Sequence, residues 1–196
     1  MEQIGLLHDG QIYDLQTAEA LNIKGDIIKA DDSKESLEIL RHSCAHMMAQ
    51  AIKELYPEAK FFVGPVVKEG FYYDFKVESK ISDEDLPTIE KKMKEIADRK
   101  LPITRHETTK EEFYEKFKND ELKQAVLKNI KDDTLTIYKQ GDFEDLCRGP
   151  HLPNTRMIRS FKLTRVAGAY LGGDEKNEMI TRIYGIAFFD KQALFD

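Results

Sequence analysis

Across residues 37–55, Leu37, Leu40, Cys44, Met48, Ala51 and Leu55 recur at three- and four-residue spacing, the period of one helical face. The pattern predicts a long amphipathic helix with one side in a core. His42 and His46 stand one turn apart on a face that points away from that stripe. Two of the chain's five histidines are therefore turned towards something other than the apolar core. Such a pair suits a metal clamp or an acid/base pair. On its own it also describes an ordinary half-exposed helix.

A second cluster follows in Asp145-Leu146-Cys147-Arg148-Gly149-Pro150-His151, where Cys147 and His151 form a C-x-x-x-H pair. Together with the helix pair this makes three imidazoles and one thiol, the donor set of a tetrahedral zinc site. The spacing is not that of a zinc finger. A pair on a helix plus a pair on a loop suits a cleft.

Thirty basic against 36 acidic side chains give a formal charge of −6, which argues against a protein that coats nucleic acid by bulk charge. A local basic surface remains compatible: Arg156, Arg159, Lys162 and Arg165 recur every third residue, though a strand would not put all four on one face. Two cysteines imply no disulfide framework, and Cys44, on the apolar stripe, reads as a small buried hydrophobe. No signal peptide and no run of membrane-spanning length is legible. A cytoplasmic protein is expected. At 196 residues the chain can bury a core without staples.

Turn and period signals place the remaining elements. Residues 4–7 and 11–15 read as strands around Asp9-Gly10, with a short strand at Ile27-Ile28. That opening segment is too small to fold alone and is expected to pack on the rest of the chain. Asp32 is the expected cap of the histidine helix, with Glu35 reaching back. Strands are expected near residues 61–67 and 71–75, at 103–106, 135–138, 158–166 and 179–188, while residues 140–142 read as a turn and 143–147 lead into a tight Gly149-Pro150 loop that holds Cys147 and His151 close. Helices are expected after Ser82, after Thr109 with Phe113 and Phe117, and after Asp120 with Leu122, Val126 and Ile130 inward. Residues 168–174 read as a flexible loop, and Asp190 as the cap of a helix at the end of the chain. Hairpins interspersed with helices indicate an α+β fold: a largely antiparallel sheet, with the histidine-bearing helix and further helices packed on it.

Four motifs now stand in order: Leu37-Glu38-Ile39-Leu40-Arg41-His42-Ser43-Cys44-Ala45-His46, Gly70-Phe71-Tyr72-Tyr73-Asp74-Phe75, Cys147-Arg148-Gly149-Pro150-His151 and Arg165-Val166-Ala167-Gly168-Ala169-Tyr170. They resemble the editing (second additional) domain of bacterial threonyl-tRNA synthetases. Alanyl enzymes share the histidine and cysteine pairs but usually read Cys-Gly-Gly-Thr-His where this chain has Arg148-Gly149-Pro150.

The resemblance implies hydrolysis of the ester joining mischarged serine to the threonine tRNA. It implies His42 and a lysine as the groups that handle the water, with Lys123 the choice and Lys128 the alternative. Either member of the pair could be the base, the other stabilising the oxyanion. Tyr73, His46, Asp145, Cys147 and His151 would line the pocket. The resemblance leans towards hydrolysis that needs no cofactor, with zinc on His42, His46, Cys147 and His151 as the alternative. Implied partners are the acceptor end of tRNA(Thr) and the rest of the synthetase chain, with no membrane. ATP and magnesium would belong to an aminoacylation domain that this chain lacks. Residues 33–196 would form the editing domain, and residues 1–32 a short segment in place of the family's usual small N-terminal domain. The chain is expected to be a fragment of a synthetase. A free-standing deacylase acting in trans and a non-catalytic zinc- and tRNA-binding module are the rival readings.

Overall fold

The computed structural model describes residues 1–195. The elements run β1 (Gln3–His8), β2 (Gln11–Asp14), α1 (Leu15–Ala20), β3 (Asp26–Lys29), α2 (Lys34–Leu55), β4 (Lys60–Phe61), β5 (Val66–Val67), β6 (Gly70–Lys76), α3 (Leu86–Asp98), β7 (Thr104–Thr109), α4 (Lys110–Lys116), α5 (Glu121–Lys128), β8 (Thr134–Gln140), β9 (Phe143–Leu146), β10 (Ser160–Tyr170) and β11 (Met179–Phe188). Every strand pairing is antiparallel. The strands divide into three sheets, ordered β2-β1-β3, β10-β11-β6-β4 with β5 on β6, and β7-β8-β9. The fold is α+β as expected, with the antiparallel strands split between small sheets.

Helix α2 is the axis. Leu37, Leu40, Cys44, Met48 and Ala51 are buried, as the periodicity requires, but so are Ile39, Met47, Ala49 and Ile52. The helix is therefore covered on more than one side. The histidine face, expected to turn towards something other than the apolar core, lies under Phe143, Tyr73 and His151. Its N-cap is Ser33, whose hydroxyl accepts from the Ser36 amide at 3.4 Å. The expected cap, Asp32, is used elsewhere: it accepts the amides of Phe189 and Asp190 at 2.7 and 3.0 Å, tying the end of β11 to the start of α2.

The opening segment is ordered against the rest. Asp9 and Gly10 both have positive φ, 48° and 76°, the backbone of a tight hairpin turn that Asp-Gly favours. Strand β2 stops at Asp14 because its carboxylate caps α1, accepting from the Thr17 amide at 2.8 Å. That short helix was not legible, and Leu15 belongs to it rather than to the strand. Helix α3 buries Leu86, Ile89, Met93, Ile96 and Ala97 as patterned. In α5 the buried positions are Leu122, Lys123 and Leu127. Val126 and Ile130, expected inward, are only partly buried. Strand β10 runs through Gly168 to Tyr170, so the expected loop begins only with the 3-10 turn at Leu171–Gly173. Asp190 accepts from the Gln192 amide at 3.0 Å, starting a 3-10 turn and not an α-helix. The basic strip is broken up: Arg156 pairs with Glu2, Arg159 with Asp98, and Arg165 stacks on Tyr184 at 4.1 Å.

Strands β6 and β11 approach closely where Gly70 pairs with Ile186 and Phe71 with Gly185. A Cβ on Gly70 would lie 1.8 Å from the Gly185 carbonyl oxygen. Gly70→Ala should therefore force the strands apart and cost about 1–3 kcal/mol. Urea unfolding would report it as a lower midpoint at unchanged slope; an unmoved midpoint would show that the approach is not that tight.

Candidate active site

Four elements converge on one cluster. Helix α2 contributes His42, Ser43 and His46, β6 contributes Tyr73, α5 contributes Lys123, and β9 with the loop after it contributes Asp145, Cys147 and His151. The ligand atoms of His42, His46, Cys147 and His151 all lie within 4.8 Å of one another. The helix pair and the loop pair, far apart in sequence, are thus brought together.

The Cys147 thiol is the hub. Its Sγ lies 3.3 Å from His42 Nε2 and 3.1 Å from His151 Nε2, and it accepts from the Gly149 amide at 3.3 Å. The outer nitrogens of the two imidazoles are also held. His42 Nδ1 faces the Pro150 carbonyl at 3.2 Å, and His151 Nδ1 faces the Ser43 hydroxyl at 3.0 Å. Ser43 in turn accepts from the Leu152 amide at 2.8 Å. The His42 and His151 rings stack at 4.6 Å, and His46 lies 4.4 Å from His151. One arrangement of protons satisfies every contact. Ser43 donates to His151 Nδ1, His151 Nε2–H to Cys147, the thiol to His42 Nε2, and His42 Nδ1–H to Pro150.

Below this layer lies an ionic one. The Asp145 carboxylate takes the Lys123 ammonium on one oxygen and the Tyr73 hydroxyl on the other. The Leu146 amide donates to the first of these at 2.8 Å. Lys123 and Asp145 are 3% and 2% exposed, so the pair is buried and satisfied. Lys128, the alternative lysine, points to solvent.

Burial sets the charge states. Desolvation lowers His42, opposed by the Pro150 carbonyl. It lowers His46 and His151 well below the ordinary imidazole value, with their neighbouring imidazoles adding to the effect. The Cys147 thiol and the Tyr73 hydroxyl are pushed up, Tyr73 by burial and then by the Asp145 charge. Near pH 7 the cluster thus holds neutral imidazoles and a thiol. His42 and Cys147 keep part of their surface on a pocket of about 260 Å³. Its other walls include His46, Gly64, Tyr73 and Asp145, and the exposed Arg148 stands at its edge. A larger cavity of about 510 Å³ lies on the far side of Asp145 and is walled by Lys123. Another, of about 470 Å³ beside Gln50 and Arg99, contains no histidine or cysteine.

The donor set fits zinc. With bonds of about 2.0–2.3 Å, tetrahedral ligands sit roughly 3.3–3.8 Å apart. The two sulfur–nitrogen separations at Cys147 are close to that. The held outer nitrogens are the second-layer contacts that metal-bound histidines use.

Sequence reasoning missed three groups here. Ser43 orients His151. Tyr138 packs its ring 4.4 Å from His151. Asp14 accepts the Tyr138 hydroxyl at 2.5 Å and the His151 amide at 2.9 Å. Only Ser43 had a signal, its place between the two histidines.

A long helix carrying paired histidines over small antiparallel sheets, with a Cys/His loop closing on it, defines a class. Residues 135–184 match the family described as the threonyl and alanyl tRNA synthetase second additional domain. Within that class the chain is similar to one segment of threonine–tRNA ligase. It is 65% identical over 195 residues to the Helicobacter hepaticus enzyme, covering 100% of this chain and 32% of that protein. It is 65% identical over 193 residues to that of Campylobacter jejuni, covering 98% and 32%, and 72% identical over 164 residues to that of Campylobacter lari, covering 84% and 27%. The chain thus spans about a third of the length of these curated relatives. It matches a threonine–tRNA ligase segment that carries the second additional domain. Among the described residues, no helix is long and apolar enough to cross a membrane.

Proposed function

We propose that this chain is the editing part of a threonine–tRNA ligase, which hydrolyses serine from mischarged tRNA(Thr). The observation that carries the reading is the convergence of His42, His46, Cys147 and His151 into one cluster, with His42, Cys147 and Asp145 on one pocket and Lys123 paired to Asp145 from the neighbouring cavity. Residues 33–196 form the editing domain in this reading, and the cytoplasmic ligase would add an aminoacylation domain using ATP and magnesium.

Hydrolysis needs water activated against an ester carbonyl and a stabilised oxyanion. A neutral imidazole can take the water's proton, and His42 is neutral and faces the pocket; its Nε2, which accepts from the Cys147 thiol in the resting site, is the nitrogen that would take the proton once the water replaces that contact. The water oxygen bonds to the carbonyl carbon, and the carbonyl electrons move to its oxygen. The Lys123 ammonium, paired to Asp145 and walling the neighbouring cavity, would stabilise that oxyanion by its field across Asp145 rather than by contact in the resting site. Collapse breaks the bond to the ribose oxygen, which recovers the proton from His42. Serine and free tRNA leave. Tyr73, His46, Cys147 and His151 shape the wall against the amino acid.

Selection follows from size. A synthetic site that must tell apart two side chains differing by one methyl gains only about 1–3 kcal/mol, so a second, smaller site destroys the wrong product. Serylated tRNA(Thr) should be deacylated by this chain at least roughly tenfold faster than threonylated tRNA(Thr). Release of labelled amino acid measures both rates; equal rates would remove the editing assignment.

The four-ligand cluster supports a second reading, in which His42, His46, Cys147 and His151 hold a structural zinc in a tRNA-binding module. Zinc bound there would supply Lewis-acid chemistry or a structural crosslink. In the structural case, chelation should unfold the chain. In the favoured reading it leaves both fold and rate intact.

A further inference from the structure

We propose that Asp14, from the N-terminal segment, is a positioning residue that fixes the His151 loop of the active site. Asp14 is 2% exposed and sits at the junction of β2 and α1. Its two oxygens have different partners. Oδ1 caps α1 through the Thr17 amide at 2.8 Å. Oδ2 accepts the His151 amide at 2.9 Å and the Tyr138 hydroxyl at 2.5 Å, from residues 137 and 124 positions away in sequence.

The consequence lies in what these groups hold. The His151 amide is the backbone of the residue whose Nε2 meets Cys147 Sγ, and the Tyr138 ring lies against the His151 imidazole. Gly149 is shaped by the same two atoms: with φ of 81°, its Cβ would lie 2.5 Å from the Tyr138 hydroxyl and 2.9 Å from Asp14 Oδ2. The loop therefore closes on Asp14 from both sides. On its other flank it is held by Ser43 and by the contact of Pro150 with His42. An anchor from outside the histidine helix is what fixes the spacing between the loop pair and the helix pair. The N-terminal sheet is thus part of the active-site framework.

Separating positioning from simple stabilisation requires variants that cut different bonds. Asp14→Ala removes all three. Asp14→Asn keeps a carbonyl oxygen for His151 and Tyr138 but turns an amide towards Thr17, so it restores the loop anchor and not the cap. Gln16→Ala cuts two of the segment's other ties, to the Ile103 carbonyl and the Arg105 amide at 2.6 and 2.7 Å, and removes no bond to the loop. The first readout needs no activity: imidazole signals of histidine-labelled protein by NMR. Those of His151 and His42 should move in Asp14→Ala and stay in place in Asp14→Asn and Gln16→Ala.

The second readout rests on the hydrolytic reading. In Asp14→Ala, kcat for serylated tRNA(Thr) should fall roughly tenfold or more with KM little changed. In Asp14→Asn and Gln16→Ala it should stay within about threefold of the parent, although both lose thermal stability. Unmoved imidazole signals in Asp14→Ala, or signals and kcat shifting equally in Gln16→Ala, would overturn the role of Asp14. A parent chain with no deacylase activity would overturn the proposed function instead, and the NMR arm would still decide this inference.

Discussion

Lys123→Met and Asp145→Ala should each destabilise the chain by about 3–5 kcal/mol, because each leaves the other's charge buried without its partner. Both side chains are almost fully buried, at 4% and 3% exposure, so water cannot compensate. The double variant Lys123→Met/Asp145→Asn should recover most of the loss. It removes both charges, roughly keeps the volume, and leaves a side-chain amide carbonyl at position 145 to accept from Tyr73. It should nonetheless be inactive as a deacylase, because the cation proposed for the oxyanion is gone. Urea unfolding of the parent, Lys123→Met, Asp145→Asn and the double variant closes the cycle that gives the coupling energy, and serine release gives the rate. Additive losses would mean that the ion pair contributes no coupling. Full activity in the double variant would remove Lys123 from the chemistry.

That pair marks the boundary of what the sequence discloses. The buried stripe of α2 was legible because a 3.6-residue period survives any tertiary context. What covers the opposite face was not legible in the periodicity, which shows which side is apolar, not what will pack on the other. Two imidazoles and a thiol can be covered when they satisfy one another, as His42, His151 and Cys147 do here, with His46 packed against the rings. The four candidate ligands were recoverable from residue type alone, since few chemistries use that donor set. Lys123 was not: among so many lysines nothing local marks it, and only the family resemblance singled it out. Its inward turn on α5 follows from Asp145, a partner 22 positions away on a different element. Asp14 was invisible for the same reason, and more so. An aspartate before a helix reads as a cap, which it is. Its second oxygen finds partners that only the assembled fold brings near.

The two layers play different parts. The upper layer is uncharged, with neutral rings around a thiol, because burial penalises a charge on any of them, most of all on His46 and His151. The lower layer keeps one full cation in place by neutralising it with Asp145 and rigidifying that carboxylate through Tyr73 and the Leu146 amide. In the proposed chemistry, a buried cation held in a fixed position would act on a developing oxyanion through its field, without reorganisation during the reaction.

His42→Ala should abolish hydrolysis of serylated tRNA(Thr), with a loss of about 10²–10⁴-fold, the usual contribution of a positioned general base. The side chain is only partly buried and opens on the pocket, so the variant should fold, with circular dichroism close to the parent. The competing explanation of such a loss is that His42 is a metal ligand. Chelation separates the two. If His42 acts as a base, the parent keeps its rate after exhaustive chelation, and Cys147→Ser loses less than His42→Ala, because a serine hydroxyl can still fill the wall and exchange the same hydrogen bonds. If the four residues hold zinc, chelation stops the reaction, added zinc restores it, and Cys147→Ser falls as far as His42→Ala, since both remove a ligand. A His42→Ala protein that keeps its rate and its fold would defeat both assignments and leave the pocket without an identified base.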